Sequence, residues 1–195
     1  FTVFTFVFFL KTFLDFSVRF VGFFRELANP EQFPATRHIL VRGDFLAIVR
    51  TDVPMTSALC GEIIQQLVAA YPALRTEVLT TTAFGRPVQT LSIGDGPRKV
   101  LFSASHHANE WITTPVILRF MEELAEAART GGRIYGVPAR NILKYNTIYT
   151  VPMVNPDGVD LVTGAIQTGT LEYETARRLA DNYPDIPFPD GWKAN

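Results

Sequence analysis

The order of three neighbouring stretches constrains this chain more than any other feature. Lys99–Ala104 is an apolar run, Ser105–Trp111 is a polar cluster, and Val116, Leu118, Phe120, Met121, Leu124 and Ala125 recur at helical spacing. A strand that feeds an amphipathic helix through a short loop buries its faces only in a sheet with helices laid on it. The flanking sequence repeats the theme. Leu59, Ile63, Ile64, Leu67, Val68 and Tyr71 form one apolar stripe, with Thr56 or Ser57 able to cap the start and Pro72 closing the end. Arg75–Thr82 and Val88–Ile93 are rich in strand formers and flank Phe84-Gly85-Arg86-Pro87, which predicts an antiparallel hairpin. Lys99–Ala104 is apolar on both faces and is expected to be a central strand. Thr113 or Thr114 is expected to cap the next helix, with Pro115 in its first turn and Gly131-Gly132 as its stop. Thr147–Val151 is another strand, and Leu171–Asn182 another helix, before Pro184, Pro187 and Pro189 extend the chain. The class is therefore α/β, a mixed sheet flanked by helices.

Composition removes several functions. The chain is 47% hydrophobic with a net charge of -1, and nothing in it argues for nucleic acid, whose partners usually carry a basic stripe. Its single cysteine, Cys60, rules out an internal disulfide and a cysteine-based zinc site, and is read as a buried core residue. Phe1–Phe24 is Phe-rich, with Lys11, Asp15 and Arg19 spaced by four. It reads as a membrane anchor or signal remnant, an amphipathic surface helix, a folded extension, or residues foreign to the domain. Membrane association and compartment, cytoplasm or cell wall, stay open. Residues 28–37 have linker character, so 1–50 is taken as leader and linker and 51–195 as the domain. Gly43–Ile48 is faintly similar to the start of a LysM wall-binding repeat.

The chemistry gathers at His107 and Glu110. Imidazole nitrogen and carboxylate oxygen are both good zinc donors. A tight loop past the carboxyl end of a sheet strand is where ligands collect in open α/β folds. The same pair can also be a plain hydrogen-bonded loop contact.

Gly85-Arg86-Pro87-Val88, the strand ending at Gly94, His107-Ala108-Asn109-Glu110-Trp111-Ile112-Thr113 and Val154-Asn155-Pro156-Asp157-Gly158 occur in that order. From about Asp52 to Asn195 this resembles the front half of the zinc carboxypeptidases. His-Ala-Asn-Glu-Trp, the run from Val151 to Val159 and the segment from Pro187 to Asn195 look closest to the bacterial branch. That branch includes γ-D-glutamyl-diamino acid endopeptidases, which cut peptidoglycan stem peptides. The resemblance implies a truncated carboxypeptidase-like fold and one Zn2+ held by two histidines and a glutamate, with a position left for water. It makes His107 and Glu110 the first two metal ligands. It implies a separate glutamate as general base and a guanidinium for the oxyanion. The third ligand, that glutamate and the Asn/Arg pair for a substrate carboxylate are expected beyond Asn195, because no histidine follows Glu110. No catalytic residue is assigned within the chain, and the substrate-binding residues stay unknown. The 195-residue chain alone is expected to be inactive and poorly soluble. The expected substrate is a peptide, either a wall stem peptide or a peptide C-terminus. The competing readings are an aspartoacylase-type zinc deacylase and a non-catalytic wall-binding protein.

The remaining candidates have bland readings. His106 is read as a hydrogen-bonded residue rather than a substrate contact, and His38 precedes the motif. Asn155–Gly158 reads as turn chemistry, with shaping the floor of the cleft as its other reading. Arg86 is a turn residue with a surface ion pair or a cleft residue, and Arg177 and Arg178 belong to a surface helix. Trp111 is expected to pack beneath the metal loop; no role follows for Trp192.

Overall fold

In a computed structural model of the protein, the described residues are 47–193. His38, the Phe-rich segment and most of the LysM-like stretch lie outside them. Helix α1 (Ser57–Ala70) starts where Thr56 accepts a hydrogen bond from Leu59 N at 3.2 Å, and it buries Cys60, Ile63, Ile64 and Leu67. Burial pushes the Cys60 thiol up to about 12, with the nearby Asp160 charge adding to the effect. The residue therefore stays protonated as an inert core group, as its periodic position predicts. Strands β1 (Leu74–Thr81) and β2 (Pro87–Ile93) form the expected antiparallel hairpin. Gly85, at φ +79°, lets the chain reverse between them.

Strand β3 (Arg98–Ser103) leads through a 3-10 turn (Ala108–Glu110) into helix α2 (Thr113–Thr130). A two-strand ribbon of β4 (Arg133–Ile134) and β5 (Val137–Pro138) and the short helix α3 (Ala139–Tyr145) return the chain to β6 (Asn146–Val151). Helices α4 (Pro156–Val162) and α5 (Leu171–Ala180) complete the described elements. The sheet order is β1-β2-β6-β3, with β6 antiparallel to β2 and parallel to β3. It is the mixed sheet that the strand-helix alternation predicts. Leu91, Ile93 and Ile148 on one sheet face meet Ile63, Leu67, Leu118 and Met121 of α1 and α2 in the main core.

Three local expectations need correction. Thr113 and Thr114 lie inside α2, whose N-cap position is Ile112. The Thr113 hydroxyl turns back to Glu110 and Ser105 in the preceding loop, and that of Thr114 reaches Pro152. Asn155–Gly158 is not a free turn: it is the start of α4, with the Asn155 side chain accepting from Gly158 N at 2.9 Å and Pro156 at the first helical position. Finally, β3 lies at the edge of the described sheet rather than at its centre. It pairs in parallel with β6, and its apolar run stays largely uncovered: Leu101 is 60% exposed, and its cross-strand neighbour Tyr149 is 38% exposed.

An apolar edge strand is a template for association with other chains. Leu101→Lys is expected to reduce self-association of the purified chain in light scattering, while shifting unfolding free energy by no more than about 0.5 kcal/mol. Unchanged association in that variant would place the sticky surface elsewhere. Among the described residues, no helix is long and apolar enough to cross a membrane.

Candidate metal centre

The loop that carries His107 and Glu110 is built by hydroxyl groups. Ala104 N still donates to Val151 O at 3.0 Å, extending the β3–β6 ladder. Ser105 then turns the chain out of the sheet with φ +49°, although it is not glycine and is only 1% exposed. A residue held in that region costs about 1–3 kcal/mol and persists only where its surroundings enforce it. Here the enforcement is visible. Ser105 N donates to Thr113 Oγ1 at 2.9 Å, and Ser105 Oγ lies 2.7 Å from Thr114 Oγ1 and 3.2 Å from Glu110 O. Thr113 Oγ1 donates to Glu110 O at 2.8 Å, and Thr114 Oγ1 donates to Pro152 O at 2.6 Å. The start of α2 thus clasps the loop at its base and ties it to the segment after β6. This clasp was missed from sequence because its partners sit across the loop. The only available signal was the density of Ser and Thr on both sides of the polar cluster.

Within the loop, Glu110 N donates to His107 O at 3.1 Å and closes the 3-10 turn. The turn brings the two side chains together: His107 Nδ1 and Glu110 Oε1 are 2.9 Å apart, with side-chain exposures of 46% and 44%. An ionised carboxylate only accepts, so Nδ1 is the donor here. That hydrogen bond is the main reason the Glu110 carboxyl is held below its ordinary range; the charges of His107 and of Lys193 act in the same direction. His106 faces away and makes a 2.9 Å hydrogen bond between Nε2 and Ser103 Oγ, the bland role expected for it.

The floor beneath this pair is Ala108, fully buried between them in sequence. Gly158 of α4 lies against it. A Cβ at Gly158 would stand 2.9 Å from Ala108 Cβ and 2.5 Å from Asn155 Nδ2, so only glycine allows this approach. On its other flank, Ala108 joins Leu161, Ile166, Ala180 and Trp192 in a second apolar cluster. Trp192 therefore has the role that sequence left open: it packs beside the loop, with its ring 5.8 Å from Phe188 and 6.1 Å from Tyr183. Trp111 packs on the main core instead.

Arg86 is neither a cleft residue nor a simple surface pair. Its Nε donates to Asp160 at 2.6 Å, Nη1 to Asp157 at 3.1 Å and Nη2 to Glu172 at 3.1 Å. Burial works against its charge, but the hydrogen bonds to Glu172, Asp160 and Asp157 prevail and raise its pKa above the ordinary arginine value. Arg177 and Arg178 stay on the surface of α5, where Arg177 pairs at 3.6 Å with Glu174.

Whether a zinc ion suits this loop turns on the donors. One imidazole and one ionised carboxylate converge in an accessible position, and both are zinc ligands. Two donors on one tetrahedral ion stand ~3.3 Å apart, slightly wider than the 2.9 Å observed. An ion between them would take the place of the proton that Nδ1 now donates to Glu110, with a small opening of the pair, so the two residues fit as part of a donor set. Among the described residues, no group of three or more His, Cys, Asp or Glu side chains is placed to hold a metal ion.

Comparison with known proteins agrees with this reading of the fold. Residues 61–186 match the family model described as zinc carboxypeptidase. A γ-D-glutamyl-L-diamino acid endopeptidase of Lysinibacillus sphaericus is 36% identical over 132 residues, covering 68% of this chain and 33% of that protein. A zinc carboxypeptidase of Saccharothrix mutabilis subsp. capreolus is 30% identical over 114 residues, covering 54% of this chain and 25% of the relative. The chain thus spans between a quarter and a third of the length of these relatives. The crystal structure of thrombin activatable fibrinolysis inhibitor superposes with a TM-score of 0.50 at 20% identity, over 55% of this chain and 27% of that one.

Proposed function

We propose, from the premise that the chain belongs to the zinc carboxypeptidase family, that His107 and Glu110 are two protein ligands of one zinc ion in a peptide-hydrolysing enzyme. The observation that carries this reading is the 2.9 Å convergence of the two side chains on an accessible loop beyond the carboxyl end of β3. Such an ion supplies Lewis acidity and a water of lowered pKa. His107 and Glu110 hold and orient, Ala108 and Gly158 set the height of the loop, and the Ser105–Thr113–Thr114 hydroxyls keep it from relaxing.

For the substrate, the 36% relative supports γ-D-glutamyl-diamino acid linkages of bacterial wall peptides. Hydrolysis at ordinary peptide C-termini is the second reading, supported by the relative described as a zinc carboxypeptidase. The family match over 61–186 favours a peptidase over a deacylase. Two protein donors grip zinc less firmly than three. The 195-residue chain is therefore expected to bind the ion weakly and to release no measurable product from either substrate.

Zinc titration by calorimetry tests the ligand assignment. His107→Ala and Glu110→Ala are each expected to lower affinity by at least the ~10–100-fold that follows loss of a ligand's supporting partner. Equal affinity in both variants sinks the assignment, and turnover by the purified chain sinks the expectation of inactivity. The substrate class is tested with the longest polypeptide expressed from the same reading frame. Release of the diamino acid from a γ-D-glutamyl peptide is expected to exceed cleavage of a standard C-terminal residue.

A further inference from the structure

We propose that Arg86 is a positioning residue for the His107–Glu110 pair and acts on it through helix α4. The inference rests on the metal-binding reading above and adds a residue to it.

The pair sits at the protein surface. Its side chains are nearly half exposed, and exposed pairs of this kind contribute little to holding a geometry. Something beneath them must fix it. That floor is Ala108, and Gly158 of α4 is the contact that sets how deep Ala108 sits. The position of α4 is therefore the position of the floor.

Helix α4 has seven residues and cannot place itself by its own hydrogen bonds. It is gripped from outside at both of its carboxylates. Asp157 accepts from Thr82 Oγ1 at 2.7 Å, from Phe84 N at 3.3 Å and from Arg86 Nη1 at 3.1 Å. Asp160 accepts from Ser57 N at 2.7 Å, from the Ser57 hydroxyl and from Arg86 Nε at 2.6 Å. Arg86 is the one side chain among these donors that holds both carboxylates, and its third arm reaches Glu172 at the start of α5. A planar fork with fixed donor directions locks three acceptors into one arrangement, which a flexible ammonium cannot reproduce. The β1–β2 turn, the start of α1 and both downstream helices are thereby keyed to the underside of the metal loop. Packed interiors transmit small displacements rather than absorbing them, so loosening α4 lets the floor under His107 and Glu110 drift.

The test uses Co2+ alone, titrated into the 195-residue chain and followed by its visible d–d bands, which report donor number and geometry. Arg86→Gln is expected to weaken Co2+ binding about tenfold, the lower end for partners outside the ligand shell, and to change the band shape. Thr82→Val, which removes one grip on Asp157 and leaves the guanidinium in place, is expected to give a smaller change in the same direction. Arg86→Lys restores the charge without the fork and is expected to recover little of the affinity. If Arg86→Gln does not fold, Thr82→Val and Gly158→Ala carry the same test, since the latter wedges α4 off Ala108 without touching a charge. Wild-type affinity and spectrum in folded Arg86→Gln or in both other variants, with His107→Ala unable to bind, overturn the positioning role alone. Wild-type binding by His107→Ala overturns the metal-pair reading and this inference with it.

Discussion

Asp160→Ala is expected to destabilise the fold by about 3–5 kcal/mol, the range for breaking one side of a buried, hydrogen-bonded ion pair. Asp160 is 4% exposed, yet it accepts from Ser57 N, the Ser57 hydroxyl and Arg86 Nε. Its removal strands a backbone N–H at the start of α1 and leaves one arm of a mostly buried guanidinium without an acceptor. Neither group gains water in exchange, so the desolvation already incurred is not recovered. Asp160→Asn separates the two losses. It keeps an oxygen for Ser57 but turns an amide N–H2 toward a cation, and is expected to cost less than the alanine variant. Glu172→Ala is the more exposed control, since its side chain is 35% exposed and its pairing with Arg86 is partly screened; it is expected to cost no more than about 1 kcal/mol. Urea unfolding at neutral pH measures all three. A cost below about 1 kcal/mol for Asp160→Ala would show that Arg86 and Ser57 find other partners.

This network also marks the limit of what sequence reading reaches. The periodic stripes of α1 and α2, the β1–β2 hairpin and the strand-loop-helix unit around His107 were all legible, because each is written in residues a few positions apart. So was the proximity of His107 to Glu110, which a tight turn makes nearly unavoidable. Arg86 was not. Its partners lie 71, 74 and 86 positions away, and no local pattern says that the hairpin turn docks on α4. Asn155-Pro156-Asp157-Gly158 was legible in part. Asn before Pro at the head of an apolar run is a helix-start signal as much as a turn signal, and in the fold it is the helix start, with the Asn155 side chain capping Gly158 N. The β4–β5 ribbon and α3 escaped because strands of two residues and a helix of seven carry too few positions for a period to appear. The edge position of β3 escaped for a different reason. Apolar residues on both faces mark a strand that can be covered on both, not its place in the order.

Glu122→Ala is expected to rival Asp160→Ala, at about 3–5 kcal/mol, and for a reason equally invisible in the local pattern. Position 122 falls on the core-facing stripe of α2 beside Leu118, Met121 and Ala125, where an acid should not survive; the side chain is 1% exposed. It survives because it is an acceptor for backbone that has no other place in a ladder. Oε1 accepts from Ile48 N at 2.7 Å, and Oε2 accepts from Val49 N at 3.3 Å and from Arg119 Nη1 at 3.2 Å. Those bonds fasten the segment before α1 onto α2 and let Val49 enter the main core. Alanine would leave two amide donors facing apolar surface, each at about 1–3 kcal/mol. Gln keeps one acceptor but presents an N–H2 to the second amide, so it should recover only part of the loss. Arg119→Ala should cost little, because that side chain is 34% exposed and also pairs with exposed Glu123. Hydrogen exchange tells an anchoring role from a general packing defect. In Glu122→Ala the amides of Ile48 and Val49 are expected to lose protection far more than those of Leu118 or Leu124. Uniform loss across α2 would mean that the carboxylate supports the helix itself and not the strap laid across it.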